Sequence, residues 1–222
     1  MKPTAGPLAD LWWLVSRASG ILALVLITLS VLMGLAMAAK ILRAPRVKRT
    51  VVTLHEHAAL TALLAIGVHG VSLLGDRWLK PGLSGIAVPF ALSYRAQFTG
   101  LGIIAGYLTL LLGPSFYLRR RIGARRWRRV HTVIPVAWVL SVVHTLGSGS
   151  DAKQVWLRAI IVVPTMPMAY LLTLRALKPR RGQPRQARVD APAANVIPLR
   201  PGPAPPRPSR VTAQAGRAGT GP

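Results

Sequence analysis

The sequence predicts an all-α integral membrane protein: a bundle of about five transmembrane helices followed by a disordered C-terminal tail. Three observations carry that prediction. The chain is 51% hydrophobic and 15% charged over 222 residues, which is unlike an ordinary soluble domain. Its apolar residues gather in five stretches, roughly 12–39, 51–74, 98–118, 130–147 and 155–175, each at or near the length of about 20 residues that a helix needs to cross a hydrocarbon core. Between several of these stretches lie dense runs of arginine and lysine, the pattern that orients membrane helices.

The first stretch is too long for a signal-peptide core and lacks a basic leader, so it is expected as a mature helix after an extracytoplasmic segment 1–10. A helix-bearing domain then extends over 11–176. The fourth stretch is short, with Arg129 and Asp151 limiting its extension. Pro164 and Pro167 are expected to kink the fifth, and the neighbouring Met166 and Met168 read as packing residues. Gly102 and Gly106 form a Gly-x-x-x-Gly that can let helices pack closely. The connection 75–97 is long and partly apolar, suited to lying in the interface. From 177 to 222 proline, glycine, alanine and arginine dominate and apolar periodicity ends. Such a composition predicts a disordered basic tail.

Charge sets the topology. Segment 40–49 holds Lys40, Arg43, Arg46, Lys48 and Arg49, segment 119–129 holds seven arginines, and the tail begins with Lys178, Arg180 and Arg181. Connections 75–97 and 148–154 carry far fewer cations. The positive-inside rule places the basic segments and the C-terminus in the cytoplasm and the N-terminus outside, in the plasma membrane. The net charge of +24 is explained by lipid headgroups and helix orientation rather than by nucleic acid, since no nucleic-acid motif accompanies it. Absence of cysteine excludes iron–sulfur clusters, thiolate zinc sites, thiol catalysis and disulfides. No Gly-rich dinucleotide fingerprint is present, so any reducing equivalents are expected from another molecule.

Four of the five histidines form two pairs on apolar stretches, His55/His69 and His131/His144, separated by 14 and 13 residues. An ionisable side chain inside a membrane span is expensive and marks function by default. At 1.5 Å rise per residue each pair spans about 20 Å, and the topology puts His55 and His131 near the cytoplasmic end and His69 and His144 near the outer end. Two haems, one per leaflet, suit that spacing. Four histidines spread over such a distance cannot share one tetrahedral zinc. Fourteen residues return a helix to within about 40° of its starting direction, so His55 and His69 share a face. Thirteen miss by about 140°, and Pro135 between His131 and His144 is expected to bend or rewind that helix. His57 is the weaker alternative to His55. Arg17 within the first stretch, and Arg128 and Arg129 beside His131, are candidate contacts for haem propionates. Trp127, one turn before His131, reads as an interface anchor or an electron conduit. Glu56 reads as the salt-bridge partner of a nearby basic residue.

At these residues, RTVVTLHEHAALTALLAIGVHG and RRRIGARRWRRVHTVIPVAWVLSVVHTL, the chain resembles the ferric reductase-like transmembrane domain family. That family includes NADPH oxidases, eukaryotic ferric reductases and the haem-bearing membrane subunit of a bacterial methionine sulfoxide reductase system. The resemblance implies a transmembrane b-type cytochrome with two haem b groups, His55 and His131 ligating the inner iron and His69 and His144 the outer one. It further implies electrons moving from a cytoplasmic flavin- or nicotinamide-dependent donor, with FAD or FMN only on that separate partner, to an extracytoplasmic acceptor such as a ferric chelate, oxygen, a quinone or a redox protein. The chain departs from the oxidases in lacking a flavoprotein half, and from many relatives in having five apparent spans rather than six. The alternative from the residues alone is a haem-free membrane scaffold, or a proton-relay or transporter subunit.

Overall fold

A computed structural model describes residues 10–177. The expectations for segment 1–10, except for Asp10, and for the basic tail from 178 onward lie outside the described residues. Within them every regular element is helical. The order is α1 (Leu11–Ala38), α2 (Pro45–Ser72) with a 3₁₀ turn (Leu73–Gly75), α3 (Gly82–Ala87), α4 (Ala96–Leu112), α5 (Ser115–Ile122), α6 (Ala124–His131), α7 (Ile134–Ser148) and α8 (Val155–Leu177).

Four helical stretches are long and apolar enough to cross a membrane: Leu11–Ala38, Pro45–Gly75, Ala124–Ser148 and Val155–Leu177. A fifth is bent. The expected span 98–118 divides at Gly113–Pro114 into α4 and α5, whose axes differ by 52°. The physical reason is in the sequence. Pro114 has no N–H to continue the α4 ladder. Gly123, at φ 87°, then separates α5 from α6 in a backbone region closed to most residues. Helix α2 starts at Pro45, six residues before the expected apolar boundary, because proline suits a first helical turn and Arg46, Lys48 and Arg49 are good or adequate helix formers. Pro164 and Pro167 lie within a continuous α8.

Helix α1 is the centre of the bundle. It packs along α2 and also meets α7 and α8, while α4 and α7 form a second close pair. The main core joins Ile27, Val31 and Leu35 of α1 to Ala62 of α2, Trp138 of α7, and Met168 and Leu171 of α8. The Trp138 indole, buried here, donates from Nε1 to Thr28 Oγ1 at 2.9 Å, and Thr28 in turn donates to the Leu24 carbonyl at 2.7 Å. Met168 is thus a packing residue. Much apolar surface remains outward, including Leu64 at 69% and Val163 at 70% exposure, which in water is a liability and in lipid is the required exterior. The protein is a membrane protein built from several apolar helices.

Candidate histidine-lined site

Two helix pairs present the histidines in matching ways. On α2, His69 Nδ1 lies 2.8 Å from the Ser16 carbonyl oxygen and His55 Nδ1 lies 2.9 Å from the Ser30 carbonyl oxygen, both on α1. His144 Nδ1 on α7 lies 2.9 Å from the Phe98 carbonyl, at the start of α4. His131 Nδ1 at the end of α6 lies 3.4 Å from the Leu112 carbonyl, at the end of α4. A carbonyl only accepts, so Nδ1 must carry the proton in each ring. The Nε2 lone pair is the one left over.

Room for the rings comes from glycine. A Cβ on Gly20 would stand 2.9 Å from His69 Nδ1, and one on Gly34 would stand 3.4 Å from His55 Cε1. A Cβ on Gly102 would collide with the His144 ring. Helix α1 therefore repeats Ser16-x-x-x-Gly20 as Ser30-x-x-x-Gly34, 14 residues later, the same interval that separates His55 from His69. The partner carbonyls on α4, Phe98 and Leu112, are also 14 apart. Gly102, expected to serve helix packing, serves an imidazole.

The histidines meet in pairs across the two helix hairpins. His55 and His131 ring centres lie 6.3 Å apart with planes at 84°; those of His69 and His144 lie 6.2 Å apart at 74°. The 13-residue interval on the second strand is reconciled by a break. Helix α6 ends at His131, Thr132 and Val133 leave the helix, and Pro135 lies in the first turn of α7. The rewinding expected of Pro135 is thus a helix interruption just before it.

Around the His69/His144 pair is a cavity of about 480 Å³. Its walls include Gly20, Gly102, Arg17 and Ser148, and the connection 75–97 contributes Trp78 and Tyr94, which touch edge to face at 5.4 Å. Asp76 orders that connection by accepting from the Trp78 and Leu79 N–H groups. Arg17 grips Asp151 with both Nε and Nη2 at 2.6 Å, tying α1 to the turn before α8. Arg17, expected as a candidate contact for a haem propionate, thus has a protein partner alongside the cavity.

At the His55/His131 end, Arg128 and Arg129 are exposed beside His131. Trp127 stacks on the His131 ring at 5.1 Å and 27°, and Phe116 meets the indole edge to face at 5.6 Å. Glu56 takes a hydrogen bond from Tyr117 Oη at 2.6 Å, a phenol from α5 in place of the basic partner expected. His57 is exposed, and its Nδ1 bonds the Thr53 carbonyl of its own helix. It stands apart from both pairs. The residues missed in the sequence are Ser16, Ser30, Gly20 and Gly34, and their signal was the doubled Ser-x-x-x-Gly at the histidine interval.

Comparison with known proteins identifies a family. The model of the family described as ferric reductase like transmembrane component matches residues 19–142. The chain is 28% identical over 127 residues to the protein-methionine-sulfoxide reductase heme-binding subunit MsrQ of Salmonella arizonae, covering 56% of this chain and 52% of that protein. The chain thus spans about half the length of that relative. No solved structure matches. With the family model covering more than half of its length, the chain belongs to the ferric reductase-like transmembrane family.

Proposed function

We propose that this protein is a transmembrane b-type cytochrome. It carries electrons from a cytoplasmic flavin- or nicotinamide-dependent donor through two stacked bis-histidine haems to an extracytoplasmic acceptor. The observation that carries the reading is the pair of matched imidazole contacts. Two rings whose nitrogens each sit about 2 Å from one shared metal have centres about 6 Å apart once the ring radius is added on both sides. Separations of 6.3 and 6.2 Å fit that requirement. Each Nδ1 is committed to a carbonyl, the outer-sphere bond that fixes ring orientation and raises ligand basicity.

In this reading His55 and His131 hold the inner haem and His69 and His144 the outer one. When bound, iron with two imidazole ligands has no open position and exchanges electrons without binding substrate. The chain's own residues orient the ligands through Ser16, Ser30, Phe98 and Leu112, and they exclude water through the apolar packing of α1, α2, α4 and α7. Cationic residues concentrate at the His55/His131 end, which supports a cytoplasmic position for that end. Arg17, Arg128 and Arg129 remain candidate partners for propionates. The name of the relative, a heme-binding subunit, supports the cofactor class.

The test is a dithionite-reduced minus oxidised visible spectrum of the detergent-purified protein, with haem quantified per chain. Low-spin b-type bands with two haems per chain are expected. A folded protein devoid of haem under ample haem supply contradicts the reading and favours a scaffold or proton-relay role.

A further inference from the structure

The connection between α2 and α4 does not stay at the level of the helix ends. Its two feet are polar, with Asp76, Arg77 and Lys80 on one side and Arg95 on the other, and Trp78 and Tyr94 join them at 5.4 Å. Between the feet, residues 81–94, PGLSGIAVPFALSY, carry no charge. The depth of that run is read along α4. The Tyr107 hydroxyl donates to the carbonyl of Ala87, the last residue of α3. A helical side chain covers the turn before its own Cα, so Ala87 lies near the level of Ile103, about 10 Å from the start of α4 at Ala96. Gly102, whose missing Cβ makes room for the His144 ring, is at that same level. On the return, the Phe90 ring fills the place a Cβ would take on Gly100. Arg95 then closes the segment at a left-handed φ of 44° and donates to the Gly147 carbonyl at the end of α7.

Both faces of this segment suit hydrocarbon. Gly85, Ile86 and Leu92 line the cavity around His69 and His144, whereas Leu83 is 73% exposed and Val88 and Phe90 are each 52% exposed. The helices leave a seam at this place: α1 packs along α2 and α4 along α7, but α2 and α4 make little direct contact. Non-helical backbone is tolerated at membrane depth where it lines a cavity. The terminal carbonyl of α3 obtains from Tyr107 the donor that lipid does not supply. Trp78 and Tyr94 stand at the neck, where amphipathic aromatics meet headgroups.

We infer that residues 81–94 form a re-entrant hairpin whose outer surface, Leu83, Val88 and Phe90, meets the acyl chains of the leaflet on the His69/His144 side. The hairpin is the wall that separates the histidine cavity from lipid across the α2–α4 seam. Its exposed residues lie deeper than its charged feet, which makes this surface lipid-facing rather than a docking face for an extracytoplasmic protein. Its placement rests on the membrane bundle alone, and its consequence for cofactor retention rests on the two-haem reading above. With a haem in that cavity, the hairpin blocks sideways escape into lipid, and Tyr107 fastens its tip.

The chain has no cysteine, so single nitroxide labels on Leu83→Cys and Val88→Cys report depth in phosphatidylcholine vesicles. Lys153→Cys, in the turn before α8, is the exposed reference. Power saturation compares collisions with oxygen, which concentrates in hydrocarbon, against those with a water-soluble nickel chelate. Oxygen is expected to dominate at 83 and 88 and the chelate at 153. Dominance of the chelate at 83 and 88 overturns the hairpin's placement. Haem transfer from purified holoprotein to apomyoglobin tests the wall. Tyr107→Phe should release one haem about fivefold faster, the effect of one lost hydrogen bond, with the other haem at its wild-type rate and the visible spectrum unchanged. Wild-type release of both haems, or equal acceleration of both, overturns the sealing role while leaving two haems in place. A wild-type protein without haem overturns the two-haem reading, and the spin labels then decide the hairpin by themselves.

Discussion

His69 on α2 and Ser16 on α1 are joined twice: the imidazole Nδ1 lies 2.8 Å from the Ser16 carbonyl and 3.1 Å from its hydroxyl. The same double contact recurs between His55 and Ser30, at 2.9 and 3.0 Å. Helix α1 is thus more than a structural strut. It dictates the tautomer and rotation of both α2 histidines. The α4 helix repeats the carbonyl half of that arrangement for α7 and α6.

Gly20→Ala separates a site effect from a folding effect. Alanine favours a helix by about 1 kcal/mol over glycine, so α1 itself gains. The added Cβ stands 2.9 Å from His69 Nδ1, and the ring must move. The variant should stay folded and lose haem from the outer site, read as haem per chain falling toward one.

Thr28→Val should destabilise more than Thr28→Ser. Valine leaves the buried Trp138 indole N–H without its acceptor, at a cost of about 1–3 kcal/mol, whereas serine keeps the oxygen. Thermal unfolding in detergent, followed by helical circular dichroism, ranks the two. Equal losses would show that Trp138 finds another acceptor.

Arg17 and Asp151 should show coupling in a double-mutant cycle of Arg17→Met and Asp151→Asn. The pair is bidentate, but Arg17 is 35% exposed, so the coupling is expected near the modest value of partly solvated pairs, about 1 kcal/mol. Each single variant leaves a charge behind, and the double variant should recover part of the loss. Additive losses in unfolding midpoints would mean that the contact adds nothing.

His57→Ala should retain both haems, and His55→Ala should lose the inner one. His57 is exposed and bonded within its own helix, while His55 meets both Ser30 and His131. Haem quantification on the two variants decides between them. Retention in His55→Ala with loss in His57→Ala would reverse the assignment.

Much of this was legible in the sequence. Hydropathy located the five apolar stretches, and the histidine interval predicted that His55 and His69 would share a face. The 13-residue interval signalled that something must interrupt the second strand, and Pro135 marked where. Hydropathy did not show the bend at Gly113–Pro114, because averaging over a window erases a single missing N–H. Glu56 was read as a salt-bridge partner because basic residues crowd its neighbourhood in sequence; α5 instead folds back and presents Tyr117. The carbonyl partners were illegible for a different reason: every residue has a carbonyl, so only helix pairing selects Ser16, Ser30, Phe98 and Leu112. The Ser-x-x-x-Gly repeat could have been found, since its 14-residue period copies that of the histidines.

The most direct measurement is haem per chain in His55→Ala, His69→Ala, His131→Ala and His144→Ala beside the wild type, each checked for folding. Two haems in the wild type and no more than one in every variant are predicted, with His55 and His131 abolishing the same spectral component and His69 and His144 the other. Two haems persisting in any of these variants, or components that pair along a helix instead of across the bundle, would contradict the account.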